Sequence, residues 1–205
     1  MVAEVARKAH NLEVGGSNPS PATNIIIIIM KKTEEIRGWF THDRVYDYLI
    51  EKTPIGGSIL ELGAWLGKSS SYLADKAGDR NVIIVDSWKG SPNELGTTHI
   101  LATQTDIYEI FKENMGDRKY QSIRGLSKDV SEQFEDESLD VVFIDATHTY
   151  PAVKQDIQLW LPKVKTGGIL AGHDYEPNFP GVVRAVDELL PNKEIKSHCW
   201  IYHKK

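Results

Sequence analysis

The chain has a single cysteine, Cys199, among its 205 residues. One thiol excludes an internal disulfide and any CxxC metal knuckle, and fits a reducing cytoplasm. A positive charge excess is also missing: 29 acidic residues outnumber 24 basic ones, giving a formal net charge of -5. Nucleic acids and anionic membranes attract proteins through basic patches, so neither is an expected partner, and a small or neutral partner fits better. No apolar run approaches the roughly 20 residues that cross a bilayer. The aliphatic run at 25 to 30 is far shorter, and the Asn-Pro-Ser-Pro before it lacks the charged start of a signal peptide.

The segment before Met30 reads as an extension that lies outside the fold. Gly16-Ser17-Asn18-Pro19 is what a common transfer-RNA T-arm sequence encodes in one frame, and the isoleucine codons match an AT-rich spacer. Translation is therefore expected to begin at Met30, with residues 1–29 disordered and functionless. Residues 30–205, in a chain with 40% hydrophobic content, suffice for one domain with a layered core.

Beyond Met30 the hydrophobic period switches repeatedly between short apolar runs and amphipathic stretches, the pattern of an alternating α/β domain. Thr41 is placed to cap a helix over 42–52, which Pro54 and Gly56-Gly57 end. Strands are predicted at 58–62, 81–86, 120–125, 139–145 and 167–172, each followed by a helical segment, and the tail after 194 has room for two short antiparallel edge strands. The expected architecture is a doubly wound, mainly parallel seven-stranded sheet with helices on both faces. Ligands in such sheets bind at the carboxyl ends of the strands, near the point where strand order reverses.

The turn ELGAWLGKSSSYL at 61–73 follows the first strand. Gly63 and Gly67 let its backbone turn tightly and approach a ligand. It departs from the dinucleotide fingerprint G-x-G-x-x-G, since Glu61 stands at the first glycine position and the other two glycines are one residue further apart. A carboxylate there suits a cofactor with an ammonium and a sulfonium better than a pyrophosphate. Asp86 ends the second strand at about the spacing, roughly 20 residues, from which an acid reaches ribose hydroxyls. Trp88 is expected to cover the adenine, and Gly125 and Ser127 form a third loop on the same rim. A nicotinamide oxidoreductase and a non-catalytic cofactor-binding protein are the competing readings.

With these pieces, GWF at 38–40, ELGAWLGKSS at 61–70, VDSW at 85–88, DATHTY at 145–150 and GGILAGHDY at 167–175, the chain resembles class I S-adenosylmethionine-dependent methyltransferases of the small group related to sugar and macrolide O-methyltransferases. The resemblance spans about 38–203. It implies that Glu61, Gly63, Gly67 and Ser69 line the methionine part of S-adenosylmethionine. It assigns Asp86, with Ser87 beside it, to the ribose, and Trp88, Gly125 and Ser127 to the adenosine surroundings, while Asp145 borders the cofactor.

Asp145 closes the fourth strand and His173-Asp174 closes the fifth, so three potential ligands are expected on one sheet edge. Oxygen donors with one imidazole suit Mg2+ or Mn2+, which would hold two acceptor oxygens and acidify the one to be methylated. The resembling group has an acidic pair where this chain has His173-Asp174, a departure that bears on which metal is held, if any. His148 is three residues beyond Asp145 and is the candidate general base, because an imidazole is largely neutral near pH 7. Asp156 reads as a solvated helix charge, Tyr150 as an anchor of its helix, and His42, His99, His198 and His203 are unassigned. The turn-rich stretch 89–104 is the candidate acceptor lid, and Tyr175 or Phe179 is placed to touch the acceptor, a hydroxylated small molecule or sugar.

Overall fold

Short runs of β-branched residues build the centre of the sheet, as expected of strands covered on both faces. The computed structural model describes residues 30–91 and 97–205, so the expectations for residues 1–29, and for residues 92–96 of the candidate lid, lie outside the described residues. Strands β1 (Ser58–Leu62), β2 (Asn81–Asp86), β3 (Gln121–Arg124), β4 (Leu139–Ile144), β5 (Val164–Gly172), β6 (Glu194–Lys196) and β7 (Cys199–His203) form one sheet in the order β3-β2-β1-β4-β5-β7-β6. The first five run parallel; β7 is antiparallel to β5 and β6 to β7. Strand order reverses between β1 and β4, which puts the ends of those two strands at the expected ligand crevice.

The helices are α1 (Asp43–Lys52), α2 (Lys68–Lys76), α3 (Thr97–Gln104), α4 (Ile107–Met115), α5 (Ser127–Ser131), α6 (Tyr150–Trp160) and α7 (Pro180–Leu189). They divide into two layers. Ile59, Ile84, Val141, Phe143, Ile169, Ala171, Cys199 and Ile201 pack with Val45, Leu49, Leu73 and Phe111 from α1, α2 and α4. Leu60, Leu62, Val142, Ile144, Leu170 and Trp200 pack with Val153, Ile157, Trp160, Val182 and Val186 from α6 and α7. Alternation along a strand therefore assigns each residue to a layer. No described helix is long and apolar enough to cross a membrane.

Three local expectations are corrected. The N-cap of α1 is His42 rather than Thr41, with no side-chain capping bond. Strand β5 starts at Val164, earlier than predicted, because Val164 pairs with Leu139 ahead of a register shift. Thr97–Gln104 is helical where a turn-rich lid is predicted; beyond Gly96 the sequence contains neither glycine nor proline until the helix ends.

Candidate active site

The turn after β1 is fixed by sterics and by one carboxylate. Gly63 has φ +92°, and a Cβ there would stand 2.0 Å from the carbonyl oxygen of Asp145. The backbones leaving β1 and β4 are thus in direct contact, joined also by Asp145 N–H donating to Leu62 O at 2.7 Å. Asp86 Oδ2 accepts from the N–H groups of Ala64 (2.8 Å) and Trp65 (2.9 Å), and its Oδ1 from Trp88 N–H (2.7 Å). These occupy three of the roughly four acceptor positions of a carboxylate. Asp86 clamps the turn first and has about one position left for a ribose hydroxyl. Trp65, Trp88 and Asp174 hold positive φ of 52°, 51° and 59° after β1, β2 and β5, as Glu137, Ser197 and His198 do in turns elsewhere.

Glu61 lies in the α1/α2 layer, as its alternation with Leu60 and Leu62 requires. Its carboxyl is fully buried; Tyr46 Oη donates to Oε1 at 2.7 Å and Ser70 Oγ donates to Oε2. Burial pushes the carboxyl from 4.5 up to about 7, against the hydroxyls of Ser69, Ser70 and Tyr46, which hold it down. The expected open carboxylate facing a cationic ligand is corrected here: Glu61 ties α1 and α2 to β1. Since the folded value is the higher one, this group's stabilisation is complete below about pH 4.5 and is lost as pH rises through about 7. The shift corresponds to on the order of 3 kcal/mol. Glu61→Gln cannot ionise, so denaturant unfolding at pH 5 and pH 8 is expected to show the wild type losing about that much relative to the variant. Parallel pH dependences would refute the assignment.

At the ends of β4 and β5 the acids and imidazoles converge. His148 Nε2 lies 2.7 Å from Asp174 Oδ2 and 3.7 Å from Asp145 Oδ1. His173 Nδ1 lies 3.1 Å from Asp174 Oδ1 and 4.0 Å from Asp145 Oδ1. Burial alone would raise the Asp174 carboxyl, but His148 and His173 hold it below the usual carboxylate range. Burial opposes the charge on His173, and the Asp174 and Asp145 carboxylates outweigh it, raising that imidazole. The ring of Phe179 covers His148 at 4.7 Å between centroids. The ligand atoms of Asp145, His148 and Asp174 lie within 4.8 Å of one another, and those of His42, His173 and Cys199 form a second such group. His148 thus stands in the donor set where His173 is predicted.

With this geometry in place, comparison with known families matches residues 60–175 to the methyltransferase domain family. The chain belongs to that family. It is a class I S-adenosylmethionine-dependent methyltransferase, and neither the nicotinamide nor the non-catalytic reading is favoured. No curated protein matches its sequence. Among solved structures, it is similar to an O-methyltransferase from Bacillus cereus in complex with S-adenosylhomocysteine: 18% identity, TM-score 0.51, 83% of this chain and 86% of that one. It is also similar to a TDP-rhamnose 3'-O-methyltransferase of calicheamicin biosynthesis: 14% identity, TM-score 0.50, 78% and 76% of the two chains. A spermidine synthase from Thermotoga maritima is as similar: 13% identity, TM-score 0.53, 80% and 60%. These likenesses confirm the fold, and a shared fold leaves the reaction to the site.

Several residues expected around the cofactor of this methyltransferase have other partners. The Trp88 indole is buried against Tyr108 and Phe111 and donates from Nε1 to Trp65 O at 2.9 Å, so it braces the turn and presents no face to adenine. Gly67 leaves room for Phe111, whose Cδ2 would be 2.9 Å from a Cβ. Gly125 N–H donates to Asp86 O at 2.9 Å, and a Cβ at Gly125 would meet Val130 Cγ2 at 2.6 Å. Ser127 Oγ donates to Asp156 and accepts from Trp160 Nε1 at 2.9 Å, so it anchors α5 to α6. Asp156 is buried rather than solvated, and burial pushes it up to about 6 against the Ser127 hydrogen bond. Ser69 and Ser87 remain half-buried on the rim.

Tyr150 anchors α6 as expected, donating to Glu188 Oε2 at 2.5 Å. Tyr175 donates to Asp187 at 2.8 Å, and Phe179, not Tyr175, covers the site. At the start of the stretch read as a lid, Ser91 Oγ is 3.1 Å from Thr147 Oγ1, beside Asp145. His42, unassigned from the sequence, lies against this group: its ring packs 4.2 Å from that of His173. Its spacing before Val45, Tyr46 and Leu49, the buried stripe of α1, is the signal that identifies it.

Proposed function

We propose that this methyltransferase moves a methyl group onto a hydroxyl oxygen of a small molecule or sugar. The observation that carries the reading is the convergence of Asp145, His148 and Asp174 beside the glycine turn. S-adenosylmethionine, when bound, supplies a methyl carbon activated by the sulfonium charge. Transfer to a hydroxyl would leave the cofactor as a neutral thioether and release the acceptor's proton, which a base of this chain would take. His148 is the base in this reading, with Asp174 orienting it and stabilising the imidazolium. Both of its ring nitrogens are shielded from solvent here.

The same three groups favour a second reading of this step. Two carboxylates and one imidazole suit a hard or borderline divalent ion such as Mg2+ or Mn2+. Asp145, His148 and Asp174 would hold it, and it would lower the pKa of the acceptor hydroxyl. The named O-methyltransferases among similar structures support oxygen as the target, the TDP-rhamnose enzyme supports a sugar, and the net charge of -5 favours neither nucleic acid nor membrane as a partner. A cytoplasmic location belongs to the same proposal, since Cys199 is the only cysteine.

Calorimetric titration with S-adenosylhomocysteine, with and without Mg2+, tests the reading. The wild type is expected to bind it. Asp86→Ala should weaken binding at least about tenfold, since one change removes a charged acceptor and the clamp on the turn. Asp145→Ala should bind it nearly as well and lose any effect of Mg2+. A wild type without affinity for this ligand would sink the proposal.

A further inference from the structure

We propose that His42, His173 and Cys199 form a metal site of their own, selective for a zinc-like divalent cation and separate from Asp145, His148 and Asp174. The fold brings the three together from distant parts of the chain. His42 is the N-cap of α1, His173 directly follows β5, and Cys199 opens β7. Ala171 and Ile201 lie in the α1/α2 layer, and Gly172 pairs with Trp200 across the antiparallel β5–β7 ladder. One step further, alternation brings His173 and Cys199 to that same layer as register neighbours. Their ligand atoms and a ring nitrogen of His42 lie within 4.8 Å of one another.

Two observations point to a ligand rather than to packing. First, His42 is only 2% exposed, and neither ring nitrogen has a hydrogen-bond partner. Buried polar groups ordinarily find one, but this imidazole packs against the rings of Phe40, Tyr46 and Phe143, with that of His173 beside it. Second, His173 directs Nδ1 to Asp174 Oδ1 at 3.1 Å, which leaves Nε2 to present a lone pair. A carboxylate on the far nitrogen is the usual support of a metal-binding histidine.

The donor chemistry selects the ion. Two imidazoles and a thiolate suit zinc or cobalt and suit magnesium poorly. Burial, with the carboxylates of Asp145 and Asp174, pushes the Cys199 thiol up, so without a cation it keeps its proton. Binding would form a metal–sulfur bond and release the thiol proton to solvent, together with any proton carried by His173. Three protein ligands leave a fourth position open, as in catalytic zinc sites. The bound ion would tie the start of α1 to the ends of β5 and β7, and through His173 would fix Asp174. None of this depends on the identity of the methyl acceptor.

The test is a titration of the chelator-stripped, reduced full chain with Co2+, followed by Zn2+. The wild type is expected to develop a thiolate-to-cobalt charge-transfer band at one equivalent, which zinc abolishes. Cys199→Ser and His42→Phe should lack the band and bind zinc at least about tenfold more weakly. His42→Phe keeps the aromatic packing, and far-UV circular dichroism checks both folds. Asp145→Asn should keep the band, because its carboxylate belongs to the other group. No band in the wild type, a band that survives in His42→Phe, or its loss in Asp145→Asn would overturn the proposal. Binding of S-adenosylhomocysteine, measured on the same samples, reports on the methyl-transfer reading separately.

Discussion

Gly63→Ala is expected to lower stability by about 4 kcal/mol or more, at the far end of what single substitutions do. Two effects add. The backbone at φ +92° is one that side chains rarely adopt, and the new Cβ would stand 2.0 Å from Asp145 O, 2.5 Å from Asp145 C and 2.9 Å from Ala146 Cα. All three obstacles are backbone, so no rotamer change relieves them. Relief requires the β1 and β4 backbones to separate, against Asp145 N–H donating to Leu62 O at 2.7 Å, while Gly63 N–H donating to Val85 O at 2.8 Å holds the turn to β2. Gly78→Ala is the control, since Gly78 has φ +60° with nothing within 4 Å of the added carbon. It should lose only the conformational part, roughly 1–2 kcal/mol. In thermal unfolding the Gly63 variant should melt about 10 °C below the wild type. Equal losses for the two variants would show that the turn does not press against β4.

That contact explains how much of the site could be read in the residues themselves. Apolar runs such as NVIIVD and LDVVFI announce buried strands, and the rule that ligands gather at strand ends singles out Asp86, Asp145, His148 and Asp174. The early start of β5 escapes the pattern because Lys165, Thr166, Gly167 and Gly168, which read as a turn, separate Val164 from Ile169. Glu61 and His42 required another step. In SILEL, position 61 shares parity with Ile59 and so faces α1 and α2, and His42 precedes Val45, Tyr46 and Leu49 at helical spacing. Asp156 obeys the same period, three residues after Val153 and four before Trp160, on the buried face of α6. Periodicity thus contained these placements. Which hydroxyl or amide satisfies each buried acid depends on pairings across 9 to 29 residues, such as Ser70 with Glu61 and Ser127 with Asp156, and no local pattern encodes them.

His148→Ala is expected to lower kcat for methyl transfer by about 10²- to 10⁴-fold, the range that a positioned base contributes. Affinity for S-adenosylhomocysteine should stay within about twofold, because His148 pairs with Asp145 and Asp174 and makes none of the Asp86 contacts. Asp174→Asn should lose less than His148→Ala: it leaves the imidazole in place but removes the charge that lies 2.7 Å from Nε2. Added imidazole should partly restore His148→Ala by occupying the space beside Phe179 and accepting the proton. Chelator treatment of the wild type separates the two readings of this step. If activity survives chelation while His148→Ala fails, proton uptake by His148 is the chemistry. If chelation abolishes activity, Mg2+ restores it and imidazole rescues nothing, Asp145, His148 and Asp174 hold a cation instead. Full activity in His148→Ala without added imidazole would remove His148 from both accounts.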